Sequence, residues 1–317
     1  MSDTERHAVL PESRDTPCPG RPVLERIETR AAEVGELPIH RALPSRRRRT
    51  VGAWCFLDHI GPIEHPAGHG LHVGPHPHIG LQTFTWMIEG EITHRDSLGY
   101  TQPIRPGEVN LMTAGDGIAH SEDTASQDRG RLHAVQLWIA LPEAQRRRAP
   151  TFQHYPDLPA MSDGGFRLTV LAGSHLGRRA PAEIHSPLVG LDLAAGGAAC
   201  MDLALEPHFE HAVLVLNGEV RVACEALGPD TLVYLGTGRR HLRLECCAAS
   251  RLMLIGGEPF GEEILLWWNF VARHPAEIEE ASRAWNERRH FGEVEGSPSP
   301  RLAAPDGTGL RLRGALE

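Results

Sequence analysis

Two short patterns carry the chemistry available to this chain. His76-Pro77-His78 sets two imidazoles at positions i and i+2, and His120-Ser121-Glu122 sets an imidazole and a carboxylate at the same spacing. On a β-strand such residues project from one face, so each pair aims two donors in one direction. If both strands line one barrel, His76, His78, His120 and Glu122 converge on a point. Three neutral imidazoles and one carboxylate form a mixed nitrogen and oxygen set suited to Fe(II), Mn, Ni or Cu, with positions left for substrate or dioxygen. The absence of thiolates from the set argues against a structural zinc site. One pair alone would read as ordinary surface histidine. A second pair that brings a carboxylate makes metal binding the stronger reading.

The surrounding residues must supply the strands. Five of the 19 histidines fall between His65 and His78, within and just after a Gly-, Pro- and His-rich loop from His59 to Gly74. Before it, Val51 to Leu57 is a nearly continuous apolar run, as expected of a buried strand. From His76 the chain alternates. Ile79, Leu81, Thr83, Thr85 and Met87 fall on one side, and His78, Gly80, Gln82, Phe84 and Trp86 on the other. This phase puts Phe84 and Trp86 on the ligand side, to wall the pocket or fill the barrel. The run closes at Glu89-Gly90, Ile92-Thr93-His94 begins the return, and Glu108–Met112 and Leu132–Leu141 add strands.

The second half repeats this plan. Ala212 to Val220 is similar to Phe84 to Ile92, each an apolar strand ending in a Gly-Glu turn, and Gly228 to Leu232 parallels Pro106 to Asn110. Many short strands with even turns predict an all-β protein of two antiparallel jelly-roll β-barrels. With Gly218 aligned on Gly90, Ala204 and Glu206 replace His76 and His78, so the second barrel is expected to be metal-free. His208 and His211, three apart, fall on opposite strand faces and read as surface or packed histidines. One helix is predicted, Pro275 to Arg289, with Ile278, Ala281, Ala284 and Trp285 on one face, glutamates at its start and arginines at its end. The expected units are a flexible leader 1–20, a metal-binding barrel 21–150, a metal-free barrel plus helix 151–294, and a loose tail 295–317.

With 317 residues, two domains are the natural division. A net charge of −9 gives no general attraction for phosphate backbones, so direct nucleic-acid binding is not expected. The runs Arg46–Arg49 and Arg146–Arg148 read as solvated loops, either of which could meet an acidic partner. Six cysteines without a CxxC spacing, a polar start and no apolar stretch near the ~20 residues of a spanning helix point to a reduced, cytoplasmic setting without membrane contact.

Three segments together resemble the pirin family of the cupin superfamily. They are Gly74-Pro75-His76-Pro77-His78-Ile79-Gly80-Leu81-Gln82-Thr83, then Glu89 to Gly99, then Met112-Thr113-Ala114-Gly115-Asp116-Gly117-Ile118-Ala119-His120-Ser121-Glu122. Phe56 to Pro62 resembles the family's lead-in, and Gly256 to Glu262 the close of its second barrel. The likeness is dense over 50–125 and looser to about 290. It implies a bicupin holding one divalent metal per chain, usually iron, on His76, His78, His120 and Glu122, with Mn, Ni, Cu or Zn as alternatives. Gln82 stands where many members carry Glu, which leaves Glu122 as the acidic candidate for a base. The resemblance further implies quercetin 2,3-dioxygenase-like cleavage of a flavonol, a small aromatic substrate. The alternatives are a dioxygenase of another enol-bearing substrate, or a non-enzymatic iron- or redox-dependent regulator binding other proteins, a reading that Arg46–Arg49 would favour. His59, His72 and His94 are candidates to orient the ligands, Arg95 and Asp96 to hold the turn into Gly99, and Trp267 and Trp268 to anchor the helix.

Overall fold

The computed structural model describes residues 24–35, 37–124, 129–223 and 225–306, so the expected leader and residues 307–317 lie outside the described residues. The first half contributes β1 (Glu25–Glu28), β2 (Arg30–Val34), β3 (Leu37–Leu43), β4 (Trp54–His65), β5 (His72–His78) and β6 (Leu81–Glu89). It continues with β7 (Ile92–Asp96), β8 (Thr101–Ile104), β9 (Val109–Thr113), β10 (Ile118–Asp123), β11 (Gly130–Ala140) and β12 (Thr151–Tyr155). A seven-stranded sheet, β12-β9-β6-β11-β4-β3-β2, is combined with a four-stranded sheet, β5-β10-β7-β8. All of these pairings are antiparallel.

The second half brings β13 (Ala160–Asp163), β14 (Phe166–Ala172), β15 (Ser174–His175), β16 (Arg178–Arg179), β17 (Leu188–Ala195), β18 (Ala199–Ala204) and β19 (Glu210–Asn217). Then come β20 (Val220–Val222), β21 (Glu225–Leu227), β22 (Thr231–Gly236), β23 (His241–Cys246) and β24 (Ser250–Gly257). Its sheets run β1-β22-β19-β24-β17-β14-β13 and β18-β23-β20-β21. Strand for strand this is the first barrel again, so the duplicated plan seen in the sequence is a duplicated fold.

Two edge strands cross the boundary expected at 150/151. β1 pairs with β22 of the second barrel, and β12 pairs with β9 of the first. An open edge leaves backbone groups unpaired, and here each edge is covered by chain from the other half. Amphipathic pattern shows that a strand exists and says nothing of which sheet it joins.

The large sheets pack against each other. Trp54, Leu57, Phe84, Trp86 and Leu137 of the first barrel share one apolar core with Leu214, Tyr234, Met253 and Ile255 of the second. This explains why β6, LQTFTWMIE, is buried on both faces. It also corrects an expectation: Phe84 and Trp86 wall the interface between barrels, and the metal pocket is faced by Thr83. Gly80, at φ +70°, separates β5 from β6 and sends the chain from one sheet to the other. The alternation restarts there, so β5 turns His76 and His78 inward and β6 its odd-numbered residues. Only glycine adopts this φ without strain, and a Cβ at Gly80 would meet the Val271 carbonyl at 2.1 Å.

The chain then returns to the first barrel through β25 (Leu265–Trp267), β26 (Phe270–Ala272) and the helix α1 (Pro275–Asn286). The helix ends three residues before the expected Arg289. Its apolar face, Ile278, Ala281, Ala284 and Trp285, packs on Trp267, Trp268 and Phe270 and on Ala119 of β10. Glu277 accepts from the Arg273 and His274 amides (2.9 and 3.1 Å) and pairs with Arg146 and Arg147, which ties one arginine run to the helix start. The expected loose tail does not describe residues 299–304. Trp285 Nε1 donates to the Leu302 carbonyl (2.7 Å), and the Leu302 amide donates to Pro75 (2.9 Å). The Pro300 carbonyl lies 1.8 Å from where a Cβ on Gly74 would be, so this strap fits β5 because residue 74 is glycine.

Candidate metal centre

β5 and β10 are neighbours, and their register sets His120 opposite His76 and Ile118 opposite His78. All three imidazoles face the barrel interior, and their donor atoms lie within 4.8 Å of one another, the one such group of His, Cys, Asp or Glu among the described residues. Glu122 follows a register shift after His120. It lines the same cavity without joining that close group. The cavity holds about 40 Å³ and is walled further by Phe56, Val73, Thr83, Trp138 and Asn269.

Each histidine is held in one tautomer. His76 Nδ1 donates to the Gly74 carbonyl and His78 Nδ1 to the Asn269 carbonyl, both at 2.9 Å. His120 is fixed through a relay. Asp96 Oδ1 accepts from the Leu98 and Tyr100 amides, and its Oδ2 accepts from His94 Nε2 at 3.0 Å. His94 Nδ1 is thereby left as a bare acceptor for His120 Nδ1–H, 3.2 Å away. The Nε2 lone pairs of all three imidazoles therefore remain available to an ion. Asp96 holds the turn toward Gly99, as expected, and also orients His94. Phe152 of β12 stacks on the His94 ring at 4.3 Å, so the strand that crosses the boundary buttresses the relay.

Electrostatics favour the neutral donors. Burial lowers the His76 pKa to about 4, and burial with repulsion from neighbouring imidazoles takes His78 and His120 well below the ordinary value. Burial raises the Glu122 pKa to about 7. The donor set also fits an ion sterically. His78 Nε2 and His120 Nε2 are 3.0 Å apart with both Nδ1 positions engaged elsewhere. Two nitrogens at right angles on one ion, each about 2.1 Å from it, would be separated by about that distance. Facing lone pairs this close in a dry interior would repel without a cation.

Other expected residues are placed elsewhere. Gln82 points away from the cavity, donating to Thr113 Oγ1 (2.9 Å) and the Glu183 carbonyl (3.0 Å), so its identity does not set the acid–base inventory of the centre. Its change of side follows from the restart at Gly80. His59 lies at the barrel interface, between Asp230 (2.7 Å) and His133 (2.9 Å). His72 is partly exposed at the start of β5, 3.5 Å from Asp123. Two residues at the centre, Thr83 and Asn269, escaped the sequence reading. Asn269 acts through its carbonyl, which no residue type announces, and the available signal was a lone amide in the apolar run Leu265 to Val271.

In the second barrel the corresponding strands pair Leu203 with Leu242 and Met201 with Leu244, all buried in its own core. His208 is exposed in the turn before β19 and His211 is buried on that strand, so the expected opposite-face placement on one strand does not apply to His208.

Residues 36–139 match the pirin family model and residues 189–292 that of the pirin C-terminal cupin domain. The chain is 52% identical over 307 residues to a Pseudomonas aeruginosa protein named "Putative quercetin 2,3-dioxygenase", covering 96% of this chain and 97% of that one. It is 36% identical over 272 residues to a pirin-like protein of Caulobacter vibrioides, covering 83% and 93%. The crystal structure of quercetin 2,3-dioxygenase from Acinetobacter baumannii aligns with a TM-score of 0.90 and 48% identity, over 92% of this chain and 98% of that one. These likenesses run through both barrels and every element that shapes the centre, and on them the chain belongs to the pirin family.

Proposed function

We propose that this protein is a metal-dependent dioxygenase of the quercetin 2,3-dioxygenase type, holding one divalent ion, iron(II) first among the candidates, on His76, His78, His120 and Glu122. The observation that carries this reading is the convergence of three neutral, tautomer-locked imidazoles beside a carboxyl group whose pKa is about 7. When bound, the ion would supply Lewis acidity toward an enol oxygen and a place for dioxygen. Glu122 is matched to neutral pH, where it can take the proton of a flavonol hydroxyl. Phe56 and Trp138, stacked at 4.0 Å, wall the cavity and keep water from it.

A second reading, dioxygenation of a smaller enol, is favoured by the cavity volume. About 40 Å³ admits an ion and a small ligand, whereas pockets for drug-sized molecules run from roughly 300 Å³ upward. A flavonol would require the walls to part. The regulator reading keeps only part of its support in the arginine run. Arg48 lies 3.3 Å over the Tyr234 ring and faces Glu25 and Glu210, so it clamps the barrels together and leaves Arg46 and Arg47 as the exposed members.

We also place the protein in the cytoplasm. Cys55, Cys200, Cys246 and Cys247 are unbridged, and no helix among the described residues is long and apolar enough to cross a membrane.

The test is O2 uptake by metal-quantified wild type and Glu122→Gln, loaded in turn with Fe(II), Mn, Ni and Cu, on quercetin and on smaller enols. Turnover by wild type with a loss of ~10²-fold or more in Glu122→Gln is expected, the scale of losing a general base. Equal turnover removes the base role from Glu122. No uptake with any metal or substrate removes the enzyme reading.

A further inference from the structure

The second barrel is hollow at the place where the first barrel keeps its metal cavity. Thr83 pairs with Trp138 and Thr85 with Gln136 across β6 and β11, and His211 pairs with Gly256 and Val213 with Leu254 across β19 and β24. His211 is therefore the counterpart of Thr83, and Gly256 that of Trp138. Exchange of an indole for a hydrogen atom opens the space. The hollow measures about 170 Å³ against about 40 Å³ in the first barrel. Val189, Leu191 and Leu254 give it an apolar floor, and His175, Glu206 and His211 give it polar walls. Gly256 is required, since a Cβ there would meet the His211 ring at 2.7 Å.

His211 is 0% exposed, and no well-aligned hydrogen bond reaches either ring nitrogen, the Phe209 backbone making a poorly aligned contact only. The His175 Nε2 is likewise buried without a partner. A buried polar group that has given up water normally finds a replacement. Two unsatisfied imidazoles on one hollow mark a place where a ligand supplies it. Burial lowers the His211 pKa to about 4, helped by His208 and only partly offset by the Phe209 backbone, so its ring is neutral.

We propose that this hollow binds a small, uncharged ring compound carrying hydroxyl groups, a ligand distinct from whatever the first barrel takes. A neutral imidazole offers one N–H and one lone pair, and a hydroxyl, both acceptor and donor, answers both. The Glu206 carboxylate at the rim accepts a second hydroxyl and repels anions. The apolar floor covers a ring face, and the volume suits one six-membered ring, well below the roughly 300 Å³ at which drug-sized pockets begin.

Resorcinol serves as the probe, followed by calorimetry and by the histidine ring signals of nitrogen-15-labelled metal-loaded protein. One-to-one binding that shifts the His211 signals is expected, unchanged in His76→Ala/His78→Ala, which separates this site from the first barrel and from its proposed activity. His211→Leu exchanges an unsatisfied imidazole for an apolar side chain and should fold while binding about tenfold more weakly or worse. Benzoate, of similar size but anionic, should bind at least about tenfold more weakly than resorcinol. Should His211→Leu fail to fold, His175→Ala at the half-buried wall carries the same readout. The proposal is overturned by unaltered binding in the folded variant, by loss of binding with the first-barrel ligands, by equal affinity for benzoate, or by no saturable binding.

Discussion

A half-buried carboxyl near neutrality beside buried imidazoles that resist protonation has a defined consequence for metal binding. With its pKa at about 7, Glu122 carries a proton below that pH in the metal-free protein, and an ion must displace it. Apparent affinity should fall by about tenfold per pH unit as pH drops below 7, and more steeply below about 4, where His76 also takes up a proton. The effects on stability have opposite signs. The raised Glu122 pKa stabilises the metal-free fold below the ordinary carboxylate range, and that contribution is lost as pH rises through about 7. The lowered His76 pKa contributes above the ordinary imidazole value and is lost as pH falls through about 4. Metal titration from about pH 8 to 5 checks this: wild type should show the slope and Glu122→Gln should be flat. A slope unchanged in the variant would assign the proton to another group. His94→Leu breaks the relay to His120, and loss of such a partner lowers metal affinity by about 10–100-fold; a chelator competition assay measures it. The four proposed ligands were legible because the HxH and HSE patterns each aim two donors from one face of a strand. Thr83 and Asn269 were not, since one depends on strand phase and the other on a backbone carbonyl distant in sequence.

Strand phase is the lesson at the scale of elements. A period of two was evident from His76 to Met87, but alternation is inherited only within one strand, and Gly80 ends β5 and begins the crossing to another sheet. Reading through it exchanged the inner and outer faces of β6 and put Gln82 at the metal. The paired variants Gln82→Glu and Thr83→Glu separate the two phases. Gln82→Glu should leave metal content unchanged and cost about 1–3 kcal/mol, because a carboxylate would replace the amide that donates to Thr113 and to the Glu183 carbonyl. Thr83→Glu adds a carboxylate to the cavity and should tighten divalent metal binding. Metal analysis and melting curves read both, and the opposite pattern would restore the phase read from sequence. The helix was legible from its amphipathic face and terminal charges, whereas the strap behind it was not. Its apolar anchors are only Leu302 and Ala304, and its backbone bonds depend on Trp285 and Gly74 being in place. Trp285 is 2% exposed, and Trp285→Ala should cost about 3–5 kcal/mol, with an unchanged melting temperature placing the helix outside the folded core.

At the scale of the whole molecule, the sequence showed two copies of one unit and concealed that they are not separable. The copies exchange edge strands, β1 to the second barrel and β12 to the first. The Trp54 indole donates to the Val189 and Gly256 carbonyls (3.3 and 3.1 Å), the Gly52 amide to Glu210 (2.8 Å), and His59 bonds Asp230 (2.7 Å), all across the interface. One apolar core draws on both large sheets. Neither barrel can lose its structure without exposing half of that core and leaving buried polar groups of the other unpaired, so the two should unfold together. A ligand of the folded state stabilises whatever unfolds with its site. Metal bound only in the first barrel should therefore raise a single transition that includes the second, by about 2.7 kcal/mol at a free concentration 100 times its dissociation constant. Scanning calorimetry on metal-free and metal-loaded protein makes the comparison, with the Trp267 and Trp268 region and the second barrel followed by hydrogen exchange. One peak that moves as a whole is the expected result. Two peaks, with metal shifting only the first-barrel amides, would show that the shared core and the exchanged strands leave the barrels energetically independent.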